Sequence, residues 1–206
     1  GVQHIKHSAP GYQITARTVI HKLNYRIWPS IIECAGDMGL DQISFLPADV
    51  SSHAFNREVL WSPAKQHELL LDRDELPDLK NIIESIISRF GDEIRRGFVS
   101  ESPEKLMKVH QYYAAFYGLS QFPYKKCNAP WVSTVIEADG TVRPCFFHAR
   151  IGNIHDESLE DVLNGERGMQ FRESLDIQTD STCKKCVCYL NLPAGASVSS
   201  NENLNR

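Results

Sequence analysis

Long apolar runs are missing from this sequence. No stretch of about eighteen uninterrupted apolar residues occurs, so nothing in it reads as a membrane-spanning helix. A charge excess of one sign is missing too: 22 lysines and arginines nearly balance 26 aspartates and glutamates. The formal net charge of −4 removes any electrostatic reason to expect nucleic acid, and the basic pairs Arg95-Arg96 and Lys125-Lys126 are too short to change that. Residues 1–7, Gly-Val-Gln-His-Ile-Lys-His, lack the apolar centre of a secretory signal, which leads to the expectation of a cytoplasmic protein. No internal repeat is visible. The remaining composition, 42 % apolar and 23 % charged, is that of an ordinary globular chain with a core of its own.

Cysteine is present, and its distribution is uneven. Cys34 stands alone in an apolar segment, whereas Cys127, Cys145, Cys183, Cys186 and Cys188 crowd the C-terminal part. In a reducing compartment, clustered cysteines bind metal more often than they pair as disulfides. The competing reading, a disulfide-stapled secreted domain, is disfavoured because the chain before residue 120 has apolar patterning enough for a core that needs no staple.

Residues 14–23 are β-branched and partly alternating, and read as a strand. Asn24 and Tyr25 turn the chain. From Trp28-Pro29 an apolar-periodic helix runs through Ile31, Ile32, Ala35 and Met38 to Gly39, and Asp41 to Leu46 follows as a second strand closed by Pro47. Strand, helix, strand is a βαβ unit and implies a parallel sheet. Residues 48–62 are polar and irregular and follow a strand's C-terminal end, where α/β folds gather their ligand loops; within them Asp49 to Asn56 has two readings, a loop facing substrate and, more ordinarily, a solvated loop. Further helices are expected to start at Ser62-Pro63, at Leu76-Pro77 (ending at Gly91) and at Ser102-Pro103 (ending near Gly118). The aromatics Tyr113 and Phe116 at helical spacing read as core.

From residue 119 the character changes. Residues 132–137 and 141–143 read as two short strands around Asp139-Gly140, a hairpin turn signal. Ser158 caps a short helix with Asp161 at the capping-box position, and a second short helix is expected over 169–175. Residues 191–206, rich in Asn and Ser, read as a flexible tail.

Cys127 and Cys145 bracket the hairpin, so pairing of its strands brings both thiols toward its open end. Cys183-Lys-Lys-Cys186 presents two more from one tight turn. Cys188 points elsewhere on a strand-like path and is the alternative to Cys186. Four thiolates suit tetrahedral zinc or a [4Fe–4S] cluster, and spacing alone does not separate the two. Zinc ribbons usually pair two short knuckles; here one knuckle is short and the other spans a hairpin, which leans toward iron–sulfur. His148, three residues after Cys145, is within reach as a ligand, but its more ordinary place is at the surface or beside a ligand.

The string Cys127-x₁₂-Gly140-x₄-Cys145, followed by Cys183-x₂-Cys186, resembles the auxiliary-cluster domain of radical SAM enzymes, called SPASM or, in shorter form, twitch. Pro144-Cys-Phe146, Ile151-Gly-Asn-Ile154, Ser158-Leu-Glu-Asp-Val162 and Phe171-Arg172 resemble its linking text. The resemblance implies an α/β fold: a partial (β/α) barrel segment with a parallel βαβ unit over 1–118, then a small twitch-like β-hairpin plus helix domain over 119–190. It implies an auxiliary [4Fe–4S] cluster on Cys127, Cys145, Cys183 and Cys186, and contacts of Asn24 and Leu46 with S-adenosylmethionine. A single further cysteine, Cys188, fits the one-cluster form better than the two-cluster form.

No Cys-x₃-Cys-x₂-Cys occurs in these residues, and in that family this motif holds the cluster that cleaves S-adenosylmethionine. The expectation is therefore the C-terminal piece of a longer oxidoreductase or maturase. That parent would carry a second [4Fe–4S] cluster, take electrons from a donor and act on a peptide or small molecule, while the piece itself would be inactive. The alternative is a zinc-stabilised, non-enzymatic interaction module.

Overall fold

The computed structural model describes residues 1–193. The expected tail at 191–206 therefore lies, from residue 194 on, outside the described residues. The elements in chain order are α1 (Val2–Ser8), β1 (Thr15–Ile20), α2 (Trp28–Asp37), β2 (Gln42–Pro47), α3 (Pro63–His67), α4 (Leu76–Arg89), α5 (Gly91–Arg95) and α6 (Pro103–Ala115). Then follow α7 (Ala129–Val132), β3 (Val135–Ile136), β4 (Thr141–Arg143), β5 (Gly152–Asn153), α8 (Leu159–Asn164), α9 (Glu166–Ser174) and α10 (Ser181–Lys185). The described residues divide into two compact units, 1–48 with 63–123, and 49–62 with 124–193.

In the first unit β1 and β2 pair in parallel, Thr15 opposite Gln42 through Ile20 opposite Pro47, joined by α2 as the βαβ pattern implies. Pro29 sits in the first turn of α2, where its missing N–H costs nothing. Trp28, Ile32 and Ala35 form the buried stripe of that helix, and Gly39 leaves it at φ +75°. A third segment joins the other edge of β2: Ile43 N–H donates to Phe98 O (2.8 Å), Ser100 N–H donates to Ile43 O (2.9 Å), and Val99 bridges Ile43 in parallel. Two strands and a bridge do not make a barrel, so the barrel-like part of the expected fold is here a βαβ unit with one added parallel bridge.

Helices α4 and α6 close the core of this unit with Leu79, Ile83 and Ile86 from one, and Leu106, Val109, Tyr112 and Tyr113 from the other. The Tyr113 hydroxyl donates to Ile20 O (2.5 Å) and accepts from Ala48 N–H (3.0 Å), tying together the C-terminal ends of both strands. One expected helix stop is corrected. Gly91 does not end α4, which stops at Arg89; Gly91 opens α5 instead, and its φ is not positive.

In the second unit β4 is the centre of a small antiparallel sheet ordered β3-β4-β5. The hairpin is shorter than the pattern suggests, because Val132 belongs to α7, where Pro130 occupies the first turn. The third strand, β5, carries too little apolar alternation to be seen in advance. Val142, Ile151 and Val162 form the buried cluster, with Leu163 and Phe171 packed against it. Ser158 caps α8 by accepting from Asp161 N–H (3.1 Å). The Asp161 carboxylate bonds the Ser158 hydroxyl and not its N–H, so the capping box is half formed. Helix α9 starts at Glu166, earlier than the expected 169.

Candidate metal centre

The hairpin turn has a strict requirement at Gly140. Its φ is +79°, and a Cβ there would stand 2.6 Å from Asn153 Oδ1 and from the His155 ring. Asp139 closes the turn by accepting from Thr141 N–H (3.0 Å). On β4, Arg143 is 3 % exposed and spends its guanidinium on three partners: Glu137 Oε1 (3.3 Å), His148 O (3.0 Å) and Asn56 Oδ1 (2.6 Å). It thus fixes the backbone on both sides of Cys145.

Segment 49–62 belongs to this unit, and its first part, through Ala54, is not the solvated loop its polar composition suggests. Val50, Ser52 and Ala54 are buried, and His53 N–H donates to Phe147 O (3.1 Å). Phe55 and Asn56 both take positive φ, 60° and 54°, a strained path for a side chain such as Phe. The kink is held because Asn56 uses both ends of its amide, donating to Asp139 Oδ2 (3.1 Å) and accepting from Arg143, while Phe55 meets Phe146 edge-on. Asp49 and Arg57 form a buried ion pair beneath it.

Cys127, Cys145, Cys183 and Cys186 are all half-buried thiols, and Cys188 is exposed. Cys183 lies in α10, whose N-cap Asp180 accepts from Cys183 N–H (2.7 Å), and Cys186 caps the same turn. Asn128, next to Cys127, draws the end of the chain back. Its N–H donates to Leu190 O (2.8 Å), its amide donates to Leu192 O (2.7 Å) and accepts from Leu192 N–H (3.0 Å). Residues 190 and 192 are therefore held, so a free tail does not begin at 191. Lys125 Nζ adds bonds to Cys186 O (2.5 Å) and Lys184 O (3.1 Å).

The four thiols are near enough for their charges to act on one another. Burial pushes Cys186 up to about 12, against the lowering effects of a backbone hydrogen bond from Cys188 and of Lys125, with the Cys188 and Cys127 thiols adding repulsion. Burial first, then Asp180, Cys145 and Cys186, drive Cys183 far above the ordinary thiol range. Cys145 is raised by burial with smaller contributions from Cys127 and Asp180. The Lys125 ammonium is lowered by burial, while Cys186, Cys183 and Cys127 favour its charge. Burial thus favours the neutral thiol at Cys145, Cys183 and Cys186, beside the Lys125 side chain. A metal that binds there must displace protons, and the anionic complex meets a waiting positive charge.

His148 is buried beside Cys183, the second of the two ordinary placements its sequence position suggests. Its Nε2 lies 3.4 Å from Cys183 Sγ and 3.7 Å from Asp180 Oδ1, and its ring packs edge-on to Phe171 at 4.9 Å. Among the described residues, the set of three or more ligand atoms within 4.8 Å of one another is His148, Asp180 and Cys183. Sequence pattern gives Asp180 no weight; an Asp three residues before a cysteine, capping its helical turn, is the signal that finds it.

Cys127, Cys145 and Cys186 lie outside that compact trio. One tetrahedral zinc ion, with Zn–S near ~2.3 Å, requires four sulfurs less than about 4 Å apart. The four sulfurs do not form such a set with one another among the described residues. Asn24 and Leu46 stand at the C-terminal ends of β1 and β2. The Asn24 amide is engaged in its own turn, accepting from His21 N–H (2.9 Å) and donating to Val19 O (2.9 Å), and Leu46 is half-buried opposite Val19.

Among the described residues, no helix is long and apolar enough to cross a membrane. Comparison with curated proteins and with solved structures yields no match. The family comparison does: residues 127–187, which carry all four half-buried thiols, match the SPASM iron–sulfur cluster-binding domain, as the resemblance of the cysteine pattern implies.

Proposed function

We propose that this chain is the C-terminal part of a radical SAM enzyme and that Cys127, Cys145, Cys183 and Cys186 hold an auxiliary [4Fe–4S] cluster. The observation that carries the reading is the convergence of four half-buried thiols from three separated stretches of chain, within a region that matches an iron–sulfur cluster-binding domain. When bound, such a cluster supplies a redox centre or an iron site close to substrate. The chain's own residues do the rest. Lys125 offsets the anionic charge, Asp180 places the short knuckle, Asn128 ties the stretch after it to Cys127, and Arg143 fixes the hairpin and segment 49–62 as one frame.

In the parent, the parallel strands β1 and β2 belong to a barrel, and Asn24 and Leu46 lie at the strand ends where S-adenosylmethionine is contacted. The Cys-x₃-Cys-x₂-Cys that cleaves it belongs to sequence beyond these residues. The substrate is a peptide or small molecule, the electrons come from a cytoplasmic donor, and the chain by itself does not form a radical.

A second reading has one observation in its favour. The N, O and S atoms of His148, Asp180 and Cys183 are spaced for a single zinc ion, which suits a zinc-stabilised interaction module. Anaerobic reconstitution with iron and sulfide separates the two. The cluster reading expects a brown protein with about four irons and four sulfides per chain. A colourless protein that keeps about one zinc and melts with chelator establishes the second reading and removes the first.

A further inference from the structure

Three features at His148 have no part in thiolate ligation. The residue is 8 % exposed although imidazole is polar, so its ring nitrogens need partners. Its position is fixed twice, by Arg143 Nη1 on its carbonyl (3.0 Å) and by the edge-on packing of Phe171 on its ring (4.9 Å). Its Nε2 is aimed at one particular sulfur, Cys183 Sγ at 3.4 Å, within reach of a hydrogen bond to sulfur.

The neighbouring Asp180 bears on which ring nitrogen carries the proton. Its Oδ1, pinned by Cys183 N–H at 2.7 Å, stands 3.7 Å from His148 Nε2. A carboxylate there favours hydrogen on Nε2 over a lone pair, and the Cys183 thiolate, once metal has displaced its proton, is an acceptor with none of its own.

We propose that His148 is a positioning and tuning residue for the cluster, its Nε2–H donating a hydrogen bond to the ligating sulfur of Cys183 and stabilising the cluster's reduced state. This rests on the cluster reading above. Reduction adds negative charge that is shared with the thiolate sulfurs. A donor aimed at one sulfur from a buried position stabilises that added charge more than the same donor in water does.

The test is the midpoint potential of the reconstituted chain and of H148L and H148Q, with iron and sulfide counted in each. Wild type and both variants are expected to hold the same iron. The potential of H148L is expected to fall, by up to a tenfold change in the reduction equilibrium, ~59 mV for one electron. H148Q, which keeps an N–H in place, is expected to stay closer to wild type. An unchanged potential in H148L at equal iron overturns the proposal. So does a loss of iron in H148L with retention in H148Q, which makes the hydrogen bond one of cluster assembly and not of potential, or a loss in both, which makes His148 a ligand. A measurement on the intact protein covers a variant that fails to fold: with ¹⁵N-histidine, pulsed EPR of the reduced cluster is expected to show a weak nitrogen coupling. No coupling, or the strong coupling of a metal-bound nitrogen, overturns the proposal. Failure of the wild type to take up any cluster is a different result and removes the cluster reading itself.

Discussion

The residue that most of the centre leans on is not a cysteine. Arg143 is a nearly fully buried guanidinium with partners on the hairpin turn, after Cys145 and in the distant segment 49–62. Removing one partner of such a buried pair leaves the others unpaired, at a cost of about 3–5 kcal/mol. Arg143→Leu is therefore expected to lower the thermal midpoint strongly and to cut iron uptake on reconstitution. Arg143→Lys should not restore it, because an ammonium cannot serve three partners in the fixed directions of the planar fork. Full iron loading in Arg143→Leu contradicts this role.

Glu101 shows a separate effect in the first unit. Its carboxylate accepts from Phe45 N–H (3.1 Å), extending the edge of the parallel sheet, and burial pushes it up to about 7 against the lowering effects of that N–H, Arg17 and Lys105. A carboxyl raised in the folded state costs nothing while it is protonated in both states, below about 4.5. Stability then falls as pH rises through 4.5 to 7, by about 3 kcal/mol at most. Glu101→Gln keeps the acceptor for Phe45 and loses the charge. Its stability relative to the parent protein is expected to climb over that pH window in denaturant unfolding, and a constant difference contradicts the assignment.

Among the elements, the hairpin is the one whose geometry admits least change. Gly140→Ala places a side chain in left-handed backbone, about 1–2 kcal/mol by itself, and against Asn153 and His155 at 2.6 Å. A lower thermal midpoint and a lower cluster yield are expected; an unchanged midpoint argues that the turn relaxes freely. This turn was legible in the sequence because Asp-Gly states a local backbone need, and so were the βαβ unit and the Ser102 and Ser158 caps, each written within a few residues. What was not legible rests on contacts between distant residues. Asn56 meets Arg143 across 87 positions, and Asn128 meets Leu192 across 64. A polar composition at 49–62 conceals alternate burial of Val50, Ser52 and Ala54, and nothing local to His148 announces its burial against Cys183. Gly91 misled for the opposite reason: a glycine ends a helix through positive φ, and this one does not adopt it.

At the scale of the whole molecule, two units serve different ends. The first is a parallel βαβ unit with a third parallel bridge, held by a core that needs no metal. The second has a small apolar cluster, Val142, Ile151 and Val162, and three thiols, Cys145, Cys183 and Cys186, whose neutral form burial favours. A core so small is expected to depend on its metal for stability, in the manner of other small metal-held domains. The proposed function has Cys127, Cys145, Cys183 and Cys186 hold one cubane cluster in this second unit. The Mössbauer spectrum of the chain reconstituted anaerobically with ⁵⁷Fe tests it. The iron is expected to be dominated by one [4Fe–4S] species, retained in Cys188→Ser and lost in Cys183→Ser; isolated ferrous or ferric iron on thiolates, or retention of the cluster in Cys183→Ser, contradicts the proposal.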